Sequence, residues 1–161
     1  MAKTNLRARL RDPVPARYAR SGDPSQTAGA ADIKERNDHF IVRNGVRCAG
    51  AHLIVDLYEA ERLDDVDHIE ATLRRCVEEA GATLLHIHLH HFEPNGGVSG
   101  VAVLAESHIS IHSWPERSYA ALDIFMCGKA EPDKCVPVLR EAFKPGRVAV
   151  SELLRGKSSS L

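Results

Sequence analysis

The stretch VSGVAVLAESHISIHSWPERSYAALDIFMC, residues 98–127, contains three short apolar runs separated by two polar breaks. Apolar and polar residues alternate in the second run, which is typical of a strand with one buried face. The runs are predicted as strands 98–105, 109–113 and 119–127. The breaks lie around Ser107 and at Trp114-Pro115-Glu116.

Two helices and three further strands complete the pattern. A helix capped by Asp64 or Asp65 is predicted to end at Gly81, and a second to run from Pro132 to Lys144. Further strands are predicted at 48–58, 83–92 and 147–154. This order implies an α+β fold, a two-layer α/β sandwich with helices on one face of a mainly antiparallel sheet. The bare sheet face predicts a homodimer that forms a larger sandwich.

Length and charge limit the classes of function. The chain has 161 residues, enough for one domain, and its 21 Lys and Arg nearly balance 22 Asp and Glu. No overall basic field is expected to attract nucleic acid or a membrane surface. No apolar run approaches the ~18 residues of a membrane span. Four cysteines without metal-ligand spacing indicate thiols and a cytoplasmic protein.

Residues 1–45 are predicted to form a flexible, disordered basic arm, and residues 46–161 to form the folded domain. The first twenty residues carry a clear excess of Lys and Arg over the single acid, Asp12. The arm has too few apolar residues to offset the entropy of ordering. An arm that binds RNA or directs targeting is the alternative.

Ser107 lies at a strand break, where a distorted peptide could let its Oγ attack the Glu106 carbonyl. An ester would form, elimination would split the chain, and hydrolysis would leave a pyruvoyl group. Strand alternation puts His108, Ser110 and His112 on one face, so that His112 can face the cleavage point. Cys127 could join the same pocket if the strands pair in the right register.

Each of these residues also has a plainer interpretation. Ser107 alone would be a polar residue at a strand break, and Cys127 a small buried side chain. The alternate histidines His86, His88 and His90 suggest zinc, but no acid or thiol lies at ligand spacing, so no metal is expected.

The stretch resembles the pyruvoyl-dependent S-adenosylmethionine decarboxylases of the short prokaryotic type. The likeness rests on Gly97-Val98-Ser99-Gly100, Glu106-Ser107-His108, Ile111-His112-Ser113, Pro115-Glu116 and Asp123-Ile124-Phe125-Met126-Cys127-Gly128. It extends more weakly back to Ala51-His52-Leu53. Spread over several strands, such a pattern is harder to match by chance than a single glycine motif.

The resemblance implies a decarboxylase domain at 46–161 that cuts itself between Glu106 and Ser107, into a β chain of 1–106 and an α chain of 107–161. It implies that Ser107 becomes the covalent pyruvoyl cofactor and that the substrate is a small molecule used in spermidine biosynthesis. The implied roles are self-processing for His112 and Ser99, proton return for Cys127, and substrate binding for Glu116 and Phe92.

The chemistry agrees with this assignment, because decarboxylation of an amino acid needs an electron sink. A pyridoxal enzyme needs a lysine, yet none lies between Glu35 and Gly128. The pair Pro115-Glu116 is followed by Arg117-Ser118-Tyr119, a departure from the family that bears on substrate. L-Ornithine or L-arginine on the same scaffold is therefore the alternative substrate, and an unprocessed binding or regulatory subunit is the alternative class.

Overall fold

The chain forms eight strands and two α-helices within residues 39–157, which are the residues that this computed structural model describes. The strands are β1 Ile41–Arg43, β2 Val46–Cys48, β3 Gly50–Tyr58, β4 Leu84–His91, β5 Val98–Leu104, β6 His108–Trp114, β7 Tyr119–Met126 and β8 Arg147–Arg155. The helices are α1 Val66–Glu79 and α2 Cys135–Phe143, with 3-10 turns at Pro115–Arg117 and Pro132–Lys134. Both predicted helices and all predicted strands are present, and α2 begins after the turn at Pro132.

Six strands form one sheet in the order β4-β5-β6-β7-β3-β8, and every neighbouring pair is antiparallel. At its centre, β6 pairs with β7 from His108 opposite Phe125 to Trp114 opposite Tyr119. The predicted α+β sandwich with a mainly antiparallel sheet is confirmed.

The two helices pack on one face of this sheet and bury its apolar residues. Asp65 caps α1 by accepting a hydrogen bond from the His68 amide at 3.0 Å, as predicted, and Gly81 follows the helix with a φ of 69°. The largest fully buried side chains are Phe143, Leu53, Leu57, Ile69, Leu73, Ile109, Ile111, Leu122, Ile124, Met126, Leu139 and Val55. Sequence alternation along β6 and β7 therefore selects the buried face.

The opposite sheet face, called the open face here, carries polar and aromatic side chains between exposed apolar ones. Ile54, Val103, Trp114 and Leu153 on this face are each more than a third exposed. A face of this kind on a sheet is where another protein surface can pack.

A short hairpin, β1–β2, precedes the large sheet, with Ile41 opposite Cys48. The hairpin begins at Ile41, before the boundary predicted at residue 45. Its tight turn is made by Asn44 and Gly45, which adopt the left-handed conformations that such a turn requires. Residues 1–38 of the predicted arm lie outside the described residues. No helix among the described residues is long and apolar enough to cross a membrane.

A β-bulge in β4 changes which leucine faces the core. Leu84 pairs with Leu104 and His86 with Val103, so Leu85 is an extra residue in the ladder. Alternation alone places Leu85 with Ile87 and Leu89, and this prediction is wrong. Leu84 packs against the core, whereas Leu85 is 63% exposed.

This bulge predicts opposite results for two neighbouring substitutions. Leu84→Ala should lower the free energy of unfolding by about 2 kcal/mol, because it removes packing against the core. Leu85→Ala should change it by less than about 0.5 kcal/mol. Urea unfolding of both variants measures the difference, and equal losses would contradict the bulge.

Candidate active site

The break between β5 and β6 brings a hydroxyl, a thiol and a peptide carbonyl together. Ser107, which is buried, lies in a tight turn closed by the Leu104 amide and the Ser107 carbonyl at 2.9 Å. The Cys127 amide donates to Ser107 Oγ at 3.2 Å, and Cys127 Sγ lies 3.7 Å from the same oxygen. Cys127 Sγ is also 3.3 Å from the Glu106 carbonyl oxygen. We call Glu106, Ser107 and Cys127 the cleavage cluster.

The register of the central strands explains this arrangement. Because His108 pairs with Phe125, continuing the same register places Ser107 opposite Met126 and Glu106 opposite Cys127, so that Ser107 and Cys127 are diagonal neighbours. Cys127 is half-buried, whereas Cys48, Cys76 and Cys135 are buried in the core. Hydrogen bonding with Cys135, and then burial, raises the pKa of the Cys76 thiol, which makes it inert.

A second group of predicted residues lies further along β5 and β6. Ser99 pairs with His112 across the two strands, and Ser99 Oγ is 2.8 Å from His112 Nδ1. His112 lies on the open face, towards the end of β6 that is remote from Ser107. At a rise of ~3.3 Å per residue, five residues of strand separate Ser107 from His112 by roughly 16 Å. The structure therefore places His112 away from Ser107 along β6, because alternation determines the face of a strand and not the position along it.

A pocket of about 240 Å³ surrounds Ser99 and His112. Its lining residues are Phe92, Asn95, Gly97, Ser99, His112, Ser113, Trp114 and Glu116. All four predicted residues outside the cleavage cluster therefore line one pocket. Ligand pockets for drug-sized molecules usually enclose ~300–1,000 Å³, so this pocket is small for such a ligand.

Four pocket residues, Asn95, Gly97, Ser113 and Trp114, were not predicted as site residues from the sequence. Trp114 is 40% exposed and lies against the Tyr119 ring, with a centroid distance of 5.3 Å. Ser113 is buried and donates to the Leu63 carbonyl at 2.7 Å while accepting from the Val98 amide at 2.8 Å. Asn95 follows the strand as part of a turn and carries no sequence signal of its own.

A polar network on the open face lies between the two groups. His52 Nε2 is 3.2 Å from one Asp123 carboxylate oxygen, and the Ser110 hydroxyl donates to the other at 3.3 Å. Arg155 approaches His52 Nδ1 at 3.2 Å from β8. Alternation in β3 could have placed His52 on this face, but only the sheet order shows that β3 adjoins β7.

The histidines of β4 do not form a metal site with other residues. Within residues 39–157, no group of three or more His, Cys, Asp or Glu side chains is arranged to hold a metal ion. His86, His88 and His90 are exposed along the outermost strand, opposite Val103, Val101 and Ser99.

Comparisons of the sequence and of the fold with known proteins point to the same family. The family described as S-adenosylmethionine decarboxylase matches residues 51–156. An S-adenosylmethionine decarboxylase proenzyme from Thermomicrobium roseum is 43% identical over 112 residues, covering 69% of this chain and 97% of the relative. One from Methanococcus vannielii is 47% identical over 110 residues, covering 66% and 89%. The crystal structure of the adenosylmethionine decarboxylase from Aquifex aeolicus superposes with a TM-score of 0.63 at 32% identity, covering 71% of this chain and 96% of that one.

The ionisation of Tyr119, which lies beside the pocket, tests the contact between its hydroxyl and Asp56. Its hydroxyl donates to Asp56 at 2.5 Å, and this hydrogen bond, with burial and the carboxylate charge, raises the pKa of Tyr119 to about 12. At about pH 11 an ordinary tyrosine is largely ionised, whereas Tyr119 should remain protonated. Asp56→Asn removes the charge and should let Tyr119 ionise there. NMR of the tyrosine ring carbons measures this, and identical titrations in both proteins would contradict the contact.

Proposed function

Because this chain belongs to the S-adenosylmethionine decarboxylase family, we propose that it decarboxylates S-adenosylmethionine after cutting its own backbone between Glu106 and Ser107. Membership assigns it to the carboxy-lyases. The observation that carries the proposal is the cleavage cluster, in which a buried hydroxyl and a thiol lie beside the Glu106 carbonyl. The product would supply aminopropyl groups for spermidine synthesis, and the free thiols suit a cytoplasmic location.

Self-cleavage begins with attack of Ser107 Oγ on the Glu106 carbonyl carbon. A C–O bond forms, the peptide C–N bond breaks, and the hydroxyl proton passes to the serine nitrogen. Cys127 Sγ, 3.3 Å from the carbonyl oxygen, can donate a hydrogen bond where negative charge develops. A base then takes the Ser107 α-proton, the Cβ–O bond breaks, and Glu106 leaves as a carboxylate. Hydrolysis of the remaining dehydroalanine releases ammonia and yields the pyruvoyl group.

The surroundings of Ser107 fit such a group. The Cys127 amide lies 3.2 Å and its thiol 3.7 Å from Ser107 Oγ, which is bonded to Cβ, so a ketone on the adjacent Cα would have an N–H donor and a proton source nearby. The pyruvoyl group supplies the electron sink that decarboxylation needs and that ordinary side chains lack. In the same proposal Cys127 returns a proton to the substrate carbon that has lost carbon dioxide.

The pocket supports S-adenosylmethionine as the substrate. Phe92 and Trp114 offer aromatic faces to a planar base, and the Glu116 carboxylate is an acceptor for ribose hydroxyls. His112 is hydrogen-bonded to Ser99, and it would take part in self-processing only if a second copy brings another Ser107 to it. Ornithine and arginine lack the adenosyl group that these aromatic residues would contact.

We further propose that two copies complete each site. A two-fold axis that runs across the strands would pack the open faces together with the strands reversed. The cleavage cluster of one protomer would then lie opposite the partner's pocket around Ser99 and His112. The exposed apolar side chains Ile54, Val103 and Leu153 support this contact, because pairing would bury them.

Ser107→Ala should stay uncut and inactive, because the attacking oxygen is gone. The matched control Ser151→Ala removes an exposed hydroxyl from β8 and should be cut like the unaltered chain. Denaturing electrophoresis measures cutting, and released carbon dioxide measures activity with S-adenosylmethionine, ornithine or arginine. Activity on ornithine or arginine alone would overturn the substrate, and an active Ser107→Ala would overturn the mechanism.

Two inactive variants should restore each other if the site is shared. In a dimer of Ser107→Ala with His112→Ala, one site would combine an intact Ser107 with an intact His112. After co-expression, the purified mixed dimer should therefore have about half of the activity of the original dimer, whereas each variant alone stays inactive. No restored activity in a purified mixed dimer would contradict the shared site.

A further inference from the structure

The beginning of the described chain lies against the cleavage cluster. The His39 carbonyl accepts a hydrogen bond from the Gly128 amide at 2.9 Å, and His39 Nε2 is 3.5 Å from a Glu106 carboxylate oxygen. His39 precedes residue 51, where the family match begins. The contact is therefore made by a part of this chain that the family match does not cover.

The hairpin that follows His39 is attached to the rest of the domain. Arg43 in β1 forms ion pairs with Asp133, before α2, and with Glu152 in β8. The Ala49 amide donates to the Arg155 carbonyl at 2.8 Å. The partners in these contacts lie in the turn before α2 and in β8. The hairpin is therefore attached at two places, which limits how far His39 can move from Glu106.

His39 contacts both sides of the reacting group. Its carbonyl holds Gly128, the residue next to Cys127, whose amide and thiol contact Ser107. Its ring contacts the side-chain carboxylate of Glu106, the residue whose backbone carbonyl is attacked. Cleavage also turns that carbonyl into a carboxylate, so Glu106 gains a second negative charge beside its first. A ring N–H donor at this point opposes the repulsion between them.

We propose that His39 is a positioning residue for self-cleavage, which orients Glu106 through its ring and the Cys127 turn through its carbonyl. The inference rests on the proposed function, because it has meaning only if the Glu106–Ser107 bond is cut. It assigns a purpose to a segment outside the family match.

The test compares rates of self-cleavage in the full chain. His39→Ala should slow cutting about 1.4- to fivefold, because an exposed ion pair contributes ~0.2–1 kcal/mol. His39→Gln should cut close to the original rate, since its amide can donate to Glu106 in place of Nε2. His39 has a φ of 54°, and Ala and Gln share the cost of this conformation, so their difference reports the side chain. The control Arg74→Ala removes a similar surface pair with Glu70 on α1 and should leave the rate unchanged.

A double-mutant comparison identifies Glu106 as the partner. In a Glu106→Gln background, His39→Ala should slow cutting by less than it does in the original chain. If Glu106→Gln stops cutting altogether, the contrast between Ala and Gln at position 39 decides. Equal rates for His39→Ala and the original chain, or equal slowing by Ala and Gln, would overturn the inference. An original chain that never cuts would instead overturn the proposed function.

Discussion

The register of β6 against its two neighbours is the constraint on which the proposed chemistry depends. Pairing with β7 brings Ser107 to Cys127, and pairing with β5 brings Ser99 to His112. A slip of one residue would turn every side chain of β6 to the other face. The buried residues Ile109 and Ile111 prevent that slip, because it would expose them to solvent and bury polar residues. The hydrophobic core therefore fixes the reacting groups without contacting the substrate.

Much of the fold follows from the sequence, because period and capping are local properties. Alternation around Ile109 and Ile111 predicts the central strand, and Asp65 with Gly81 predicts the limits of α1. The exposure of Leu85 could not be predicted, since a bulge depends on the partner strand. The pairing of His52 with Asp123 depends likewise on a sheet order in which β3 lies beside β7.

The candidate site was predicted less completely than the fold. The residue types were identified by resemblance, and the structure brings them together as two groups, one at Ser107 and Cys127 and one at Ser99 and His112. Alternation specifies a face but not a position along it, which is why a single protomer does not bring His112 to Ser107. Packing of two open faces would account for both the separation of the groups and the exposed apolar residues between them.

The central claim is that Ser107 becomes a pyruvoyl group by cutting the chain. Mass spectrometry of the purified protein under denaturing conditions tests it most directly. The account predicts a fragment of residues 107–161 whose mass is lower, by one ammonia, than that of the same peptide beginning with serine. An active protein that retains one unbroken chain, or a fragment with a free serine at its amino terminus, would contradict it.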